Sequence, residues 1–534
     1  MYRRNHPGQL EFPDFYLPFS GKLDPDNRWV QLAELVPWEL AERIYHAQLC
    51  EDFGAPIVSA RTALGALIIK ERLGLTDRET VETIRENPFL QYFIGLEEFT
   101  QERPFDASLM VDFRKRFGEE GMQQIAEAIA LASLDQAGSD NVSQATPNDE
   151  DQHDDSPQPP SANLDEGVSE TDTPVKTEDQ TASSETTNRG SLLSDATCAP
   201  ADIRYPTDVS LLSEAREKTD RIIDALHAPL VGLAKRPRTY RQRGRRDFIA
   251  FTKLKKPGKK RVRKAKRQQL GYLGRNLRAI DRLLTNAAAL PLEHLWNRWY
   301  KHLLVCRELY RQQLEMFETK THRVDDRIVS IAQPHVRPIK RGKAGRDTEF
   351  GAKLTISVVD GFSMVDRLSW DSYNEGCDLI AQVESYRLRL GFYPESVHVD
   401  KIYRTRANRA FCKSKGIRMS GPPLGRPRQN ISLAERKQTR ADEVLRNAVE
   451  GKFGEAKRRY GLGRVMAKLA STSAAQISLT FLVMNLELAL RRMFLWLLYL
   501  LSVQPHGRSS ESFITACIRA IDSKTKPAQA QTDQ

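Results

Sequence analysis

Hydrophobic residues recur with a helical period through the first quarter of the chain. An apolar-rich helix is predicted at 57–72, and Gly74 marks its end. Residues 76–79, Thr-Asp-Arg-Glu, have the capping-box pattern that starts a further helix. Another helix is predicted from Ser108 to the glycine at 118. This part of the chain is therefore predicted to be all-helical.

A helix, a short glycine turn and a second helix follow one another within residues 30–135. This order is the outline of a helix-turn-helix DNA-binding motif, but small helical bundles share it. DNA binding, dimerisation and plain packing therefore stay open for the N-terminal region, which we bound at residues 1–136.

The period changes to that of strands further along the chain. Two strands are predicted within 349–368, joined by an Asp-Gly turn at 360–361. An amphipathic helix at 375–390 and a short strand at 396–400 follow. A strand, its hairpin partner, a crossover helix and another strand describe a mixed sheet with a parallel pair, so the predicted fold class is α/β.

Four further segments are predicted between residues 191 and 501. A short apolar strand is predicted at 191–195, and helical segments at 208–230 and 268–322. A long apolar helix at 474–501 has the composition of a core helix.

Residues 137–190 are polar and acidic, with thirteen Asp or Glu against two Lys or Arg. Such a segment buries too little apolar surface to offset the entropy lost on ordering, which predicts a disordered acidic linker. It acts either as a passive tether or as a competitor of DNA for the basic surfaces.

The chain has 534 residues and a net charge of +11, and its isoelectric point is about 9.2. The length predicts two or three domains. The charge favours a polyanionic partner, nucleic acid before an anionic membrane surface. Residues 235–267 hold seventeen Lys or Arg and one acid. Lys255, Lys256 and Arg261 in this segment are candidate DNA contacts, and a solvated basic loop is the alternative.

The six cysteines are scattered and have no zinc-site or redox spacing. The N-terminus has no apolar signal core, and the longest apolar run, residues 493–501, is half of what a bilayer needs. We therefore expect a cytoplasmic, nucleoid-associated protein with no membrane partner.

Three carboxylates are the candidate catalytic groups. Asp195 and Asp400 end apolar strands, and parallel strand ends meet at one sheet edge. Glu450 follows on a helix, where Arg446 and Lys457 share its stripe through offsets of four and seven. An ordinary solvated face with ion pairs gives the same helical spacing. Carboxylates that lie close together suit two Mg²⁺ ions, because Mg²⁺ prefers hard oxygen ligands. Two such ions can act on a phosphodiester.

Three other carboxylates are rival candidates for this site. Two of them have a simpler structural explanation. Asp360 belongs to the predicted hairpin turn, and Asp208 is placed to cap the helix that follows it. Asp366 is a further rival.

Residues 194–208 resemble the first-aspartate segment of bacterial insertion-sequence transposases with an RNase H-like DDE domain, and 398–404 resemble the second. Arg446, Glu450 and Lys457 match the Arg-x3-Glu-x6-Lys signature of that family with both gaps intact. The resemblance covers most of residues 15–135 and 190–495. The signature's usual tyrosine, three residues before the arginine, is replaced here by Glu443.

The resemblance implies a catalytic domain at 191–502 with an RNase H-like mixed sheet, flanking helices and a helical basic insertion at 208–325, followed by a partly disordered tail at 503–534. It implies two-step chemistry: metal-dependent DNA cleavage at the element's ends, then attack of the exposed 3′-hydroxyl on target DNA. It also implies a homodimer, because two ends must be joined.

In that reaction Asp195, Asp400 and Glu450 would bind two Mg²⁺ ions, with Mn²⁺ as the alternative. Arg446 and Lys457 would contact phosphates of double-stranded DNA. The resemblance gives Tyr403 and Arg404 a strand-positioning role, against which a core or surface role stays open. The N-terminal helices would bind the terminal inverted repeats. A DNA-binding regulator or inactive relic without catalysis, and a nuclease that cuts without joining, are the other interpretations.

Overall fold

A computed structural model describes residues 21–49, 57–142, 187–286, 297–343, 346–421 and 432–503. The described part of the N-terminal region is helical, as predicted. Its helices are α1 (Arg28–Leu35), α2 (Trp38–His46), α3 (Ala60–Leu73), α4 (Asp77–Glu86), α5 (Pro88–Phe93) and α6 (Leu109–Val142).

Local sequence signals set the ends of these helices. Gly74 ends α3 in the left-handed conformation, with φ 68°. The capping box forms as predicted, because the Thr76 side chain accepts from the Glu79 backbone and the Glu79 side chain accepts from the Thr76 backbone. Gly118, with φ 64° and ψ −171°, interrupts α6, which then continues to Val142. The helix thus runs six residues into the segment predicted as linker; residues 143–186 of that segment lie outside the described residues.

The described residues after 190 contain one six-stranded mixed sheet. Its strands are β1 (Ser191–Pro200), β2 (Arg337–Lys343), β3 (Arg346–Val359), β4 (Phe362–Ser369), β5 (Ser396–Val399) and β6 (Arg418–Met419). The order is β2-β3-β1-β5-β6, and β4 also pairs with β3. β1 runs antiparallel to β3 and parallel to β5, and β5 is parallel to β6. The predicted mixed sheet with a parallel pair is confirmed.

Strand β1 is longer than predicted and does not end at Asp195. Its antiparallel pairing with β3 continues from Leu192 opposite Val359 to Pro200 opposite Gly351. On its other side the parallel pairing with β5 stops at Ser194 opposite Val399. Asp195 therefore lies in the middle of β1, at the point where its β5 neighbour ends.

The predicted hairpin is confirmed. Asp360 and Gly361 join β3 to β4 with φ angles of 46° and 83°, both in the left-handed region that a tight primed turn requires. Asp360 is one of three non-glycine residues with positive φ in the described chain, so its turn explains its identity.

A helical insertion lies between β1 and β2. Its helices are α7 (Asp208–His227), α8 (Arg241–Thr252), α9 (Lys259–Asn286) and α10 (Asn297–Glu318). They enclose a separate hydrophobic core that includes Leu212, Ile223 and Leu309. A solvated basic loop is the alternative interpretation of the basic segment 235–267. Most of this segment instead forms α8 and the first turns of α9. The α7 cap is Thr207, in a capping box with Ser210, and not Asp208.

Four helices complete the second half: α11 (Leu379–Leu390), α12 (Arg406–Ser414), α13 (Leu433–Arg459) and α14 (Ala470–Val503). Within the described chain, Ala470–Trp496 of α14 has the length and composition of a membrane span, with a mean hydropathy of 1.4. Because 83% of its most apolar 18-residue stretch is buried, this helix also has the burial of a core helix. The predicted tail after 503 lies outside the described residues.

Candidate active site

The register of two parallel strands brings two predicted carboxylates to one level. Ser194 pairs with Val399, so Asp195 and Asp400 are the next residues along the two strands. Asp400 leaves β5 and accepts a hydrogen bond from the backbone N–H of Lys401 at 2.8 Å. Asp195 is half-buried, whereas Asp400 is exposed.

Electrostatics show that more than two acids meet here. Burial raises the pKa of Asp195 to about 6, against an ordinary value of 3.8. A hydrogen bond from the Ala196 backbone opposes this shift, and the negative charges of Glu375, Asp400 and Glu450 add to it. Asp400 and Glu450, together with Glu375, therefore each lie within electrostatic reach of Asp195.

Helix α13 places its polar stripe over β1 and β5. Val449, Phe453 and Ala456 are its buried residues toward the sheet. Nζ of Lys457 donates to Oγ1 of Thr197 at 3.0 Å, two residues beyond Asp195. At the other end of the stripe, a terminal nitrogen of Arg446 lies 3.6 Å from a carboxylate oxygen of Asp400.

The carboxylates fit a divalent cation in their chemistry, because all are hard oxygen donors that repel one another without a counter-ion. Across the described residues, no three His, Cys, Asp or Glu side chains lie close enough together to form a metal site. The residues are thus gathered in one region without forming a closed ligand shell.

Glu375 is the acid that sequence reasoning missed. It begins a short 3₁₀ turn at Glu375–Cys377, and among the neighbouring acids its charge acts most strongly on Asp195. Nζ of Lys353, on β3, lies 2.6 Å from its carboxylate. No motif in the sequence singles out Glu375, which is simply the first residue of the predicted helix 375–390.

The side chain of Tyr403, for which the resemblance implies a strand-positioning role, is fully buried. It packs with Leu379, Val397 and Cys412 in the core beneath the site. This burial favours the core alternative, and the strand-positioning role stays a prediction. Arg404, the next residue, is half-buried and faces the Asp400 side.

The rival carboxylates serve the fold. Asp208 accepts from Arg327 at 2.6 Å and also pairs with Lys266, which ties α7 to α9 and to the segment after α10. Asp366 on β4 accepts from Gln382 at 2.8 Å and from Arg389 at 3.2 Å. Burial raises the pKa of Asp366, and its Arg389 partner opposes that shift.

The three candidate DNA contacts of the insertion, Lys255, Lys256 and Arg261, are exposed. The first two lie in the turn between α8 and α9, and Arg261 lies in the first turn of α9. Their exposure suits phosphate contact, which stays a prediction.

The N-terminal helices have a different charge. Residues 28–135 hold nineteen Asp or Glu and eleven Lys or Arg, a net charge of −8. Several of these cations are used internally: Arg114 forms two hydrogen bonds with Asp77, and Arg61 donates to the backbone carbonyls of Tyr92 and Phe93. Any DNA binding by this region would need local contacts rather than overall attraction.

Residues 397–487 match the family described as transposase DDE domain, and residues 18–116 match the transposase domain DUF772. Two separate parts of the chain are thus similar to transposase domains. The DDE-domain match includes Asp400 and the Arg446–Lys457 stripe, whereas Asp195 and the helical insertion lie between the two matches.

A curated relative of the chain is an uncharacterized protein, ORF8 in the nfe locus of Rhizobium meliloti. It is 34% identical over 112 residues, which are 21% of this chain and 54% of the relative. The chain thus spans about half the length of the curated relative that it matches. No solved structure matches the chain.

Proposed function

We propose that this protein is an insertion-sequence transposase that cleaves DNA at the ends of its own element and joins them to target DNA. The observation that carries the proposal is the register of β1 and β5, which sets Asp195 beside Asp400 under the Arg446–Lys457 stripe of α13. The two transposase-domain matches support it. We also propose that the mixed sheet is the RNase H-like core.

Asp195, Asp400 and Glu450 would hold two Mg²⁺ ions, or Mn²⁺, which when bound would activate the attacking oxygen and stabilise the leaving oxygen of a phosphodiester. Burial and the neighbouring acids raise the pKa of Asp195, so a bound cation would favour its charged form. Lys457 and Arg446 flank these acids and would hold DNA phosphates on either side of the reacting bond.

The helical insertion would supply sequence-independent affinity through its exposed cations. Recognition of the terminal inverted repeats would fall to the N-terminal helices, and two copies of the chain would pair the two ends. The net negative charge of residues 28–135 makes that recognition dependent on a small number of specific contacts.

The test is an end-labelled DNA duplex that carries the element's terminal sequence, incubated with purified protein and Mg²⁺. We expect strand cleavage that a chelator abolishes, followed by strand-transfer products. Asp195→Ala and Asp400→Ala should each remove cleavage while retaining DNA binding, because neither residue belongs to the basic insertion.

Two other functions predict different products. A DNA-binding regulator would bind the duplex without breaking it under any divalent metal. A nuclease would give nicks and no joined products. Cleavage that survives Asp195→Ala would show that the active site lies elsewhere.

A further inference from the structure

Arg404 is held in an unusual position beside the carboxylates. Its guanidinium lies flat against Gly421, where an added Cβ would come within 1.9 Å of Cζ and both terminal nitrogens. Its Nε is buried and has no hydrogen-bond partner within the described part of the chain. The side chain is therefore fixed by packing, while part of its donor capacity is unused.

Two other arginines surround Arg404. Nε of Arg409, on the first turns of α12, donates to the Arg404 backbone carbonyl at 3.2 Å. Arg446 approaches from α13, beside Asp400. Burial lowers the pKa of Arg404, and the positive charges of Arg409 and Arg446 lower it further, whereas Asp400 and Asp442 oppose them. Arg409 and Arg446 are thus the two cations whose charges act on Arg404.

The neighbouring acids do not neutralise this cluster. Asp442 is engaged by Arg418, at 2.7 and 3.1 Å, and by Gln438 at 3.0 Å. Asp400 has one distant contact with Arg446, at 3.6 Å, and it belongs to the proposed metal site. Across the described residues, neither Arg404 nor Arg409 forms an ion pair with a carboxylate. Within the described residues, the carboxylate contact of this arginine cluster is therefore that of Arg446 with Asp400.

We propose that Arg404, Arg409 and Arg446 together bind one backbone phosphate of the DNA strand that lies over Asp400. Guanidinium groups suit this ligand, because their fixed donor forks match phosphate oxygens and they keep their charge when partly buried. The inference rests on the proposed function and deepens it. It adds Arg409, which lies outside the family signature, and assigns Arg404 to a phosphate rather than to a base.

The test uses the full chain and a 30-base-pair DNA duplex of arbitrary sequence, in chelator, so that binding is measured without cleavage. Affinity is followed against salt concentration for the natural chain, Arg409→Ala and the control Lys413→Ala. Lys413 lies one turn further along α12 and is exposed. To prevent the insertion from masking the effect, the same series is repeated with Lys255, Lys256 and Arg261 all changed to Ala.

We expect Arg409→Ala to weaken binding about tenfold and to reduce the salt slope by about one, the value for one lost phosphate contact. Lys413→Ala should change neither quantity. Arg409→Lys should restore the slope, because it keeps the charge, which a purely structural role of Arg409 would not predict. Equal thermal unfolding of the variants shows that all of them fold.

An Arg409→Ala slope equal to that of the natural chain in both backgrounds overturns the phosphate site. This outcome is independent of the proposed reaction. Absence of metal-dependent cleavage in the natural chain would overturn the transposase function while leaving the salt-slope result intact.

Discussion

Asp195 and Asp400 lie at the same level of two parallel strands, one residue beyond the pair formed by Ser194 and Val399. Asp195 stays inside its strand because β3 continues to pair with the other edge of β1. Asp400 leaves its strand and is exposed. One acid is therefore held within the sheet, while the other lies exposed just beyond the end of its strand.

A buried ion network connects the N-terminal helices to the sheet. Arg389 on α11 donates to Glu127 of α6 at 3.0 Å and to Asp366 of β4 at 3.2 Å. Arg389→Ala should lower the free energy of unfolding by about 3–5 kcal/mol, because it leaves Asp366 buried without its cation. Chemical denaturation measures the loss. The control Arg387→Ala, on the exposed side of the same helix, should change it by less than about 1 kcal/mol.

Glu71 predicts a pH dependence of stability. Burial raises its pKa to about 7 from 4.5, although Thr480 donates to it at 2.7 Å. The folded state therefore holds a proton that the unfolded state loses above pH 4.5. Its contribution to the free energy of unfolding should fall by roughly 3 kcal/mol as the pH rises from 4.5 to 7, and then level off.

The matched variant for this effect is Glu71→Gln, which keeps the shape and accepts from Thr480 without a charge. Denaturation of both proteins at several pH values should give curves that separate as the pH rises, with the variant the more stable above pH 7. Parallel curves would show that Glu71 is not the titrating group.

Two glycines should respond oppositely to alanine. Gly451 lies within α13, and a Cβ there meets nothing within 4 Å. Gly451→Ala should raise the free energy of unfolding by about 0.5–1 kcal/mol, because alanine loses less conformational entropy in a helix. At Gly351, a Cβ would lie 2.0 Å from the backbone oxygen of Ala199. Gly351→Ala should lower the same quantity by at least about 2 kcal/mol, since it separates β3 from β1.

The cations of the insertion predict a salt effect. Changing Lys255, Lys256 and Arg261 together to Ala should weaken binding to any DNA sequence and reduce the salt slope by roughly 2–3. Arg311→Ala is the control, because Glu308 and Glu315 already pair with that arginine, at 2.6 and 2.9 Å. A loss that depends on DNA sequence would contradict a role in phosphate contact.

Local sequence signals determined the helix ends, the hairpin and the candidate acids. Gly74, the Thr76–Glu79 capping box and the Asp360-Gly361 turn act over a few residues, so their structure follows from neighbours in the chain. The spacing of Arg446 and Glu450 on a helix is likewise local.

Only the tertiary structure decided which groups meet. The length of β1 depends on β3, which lies about 160 residues away along the chain, so its continuation past Asp195 had no local signal. The burial of Tyr403, the approach of Glu375 to Asp195 and the arginines around Arg404 depend in the same way on elements that pack from different parts of the sequence. Long-range packing sets the dielectric and the distances of a site, and these quantities are not encoded in residue spacing.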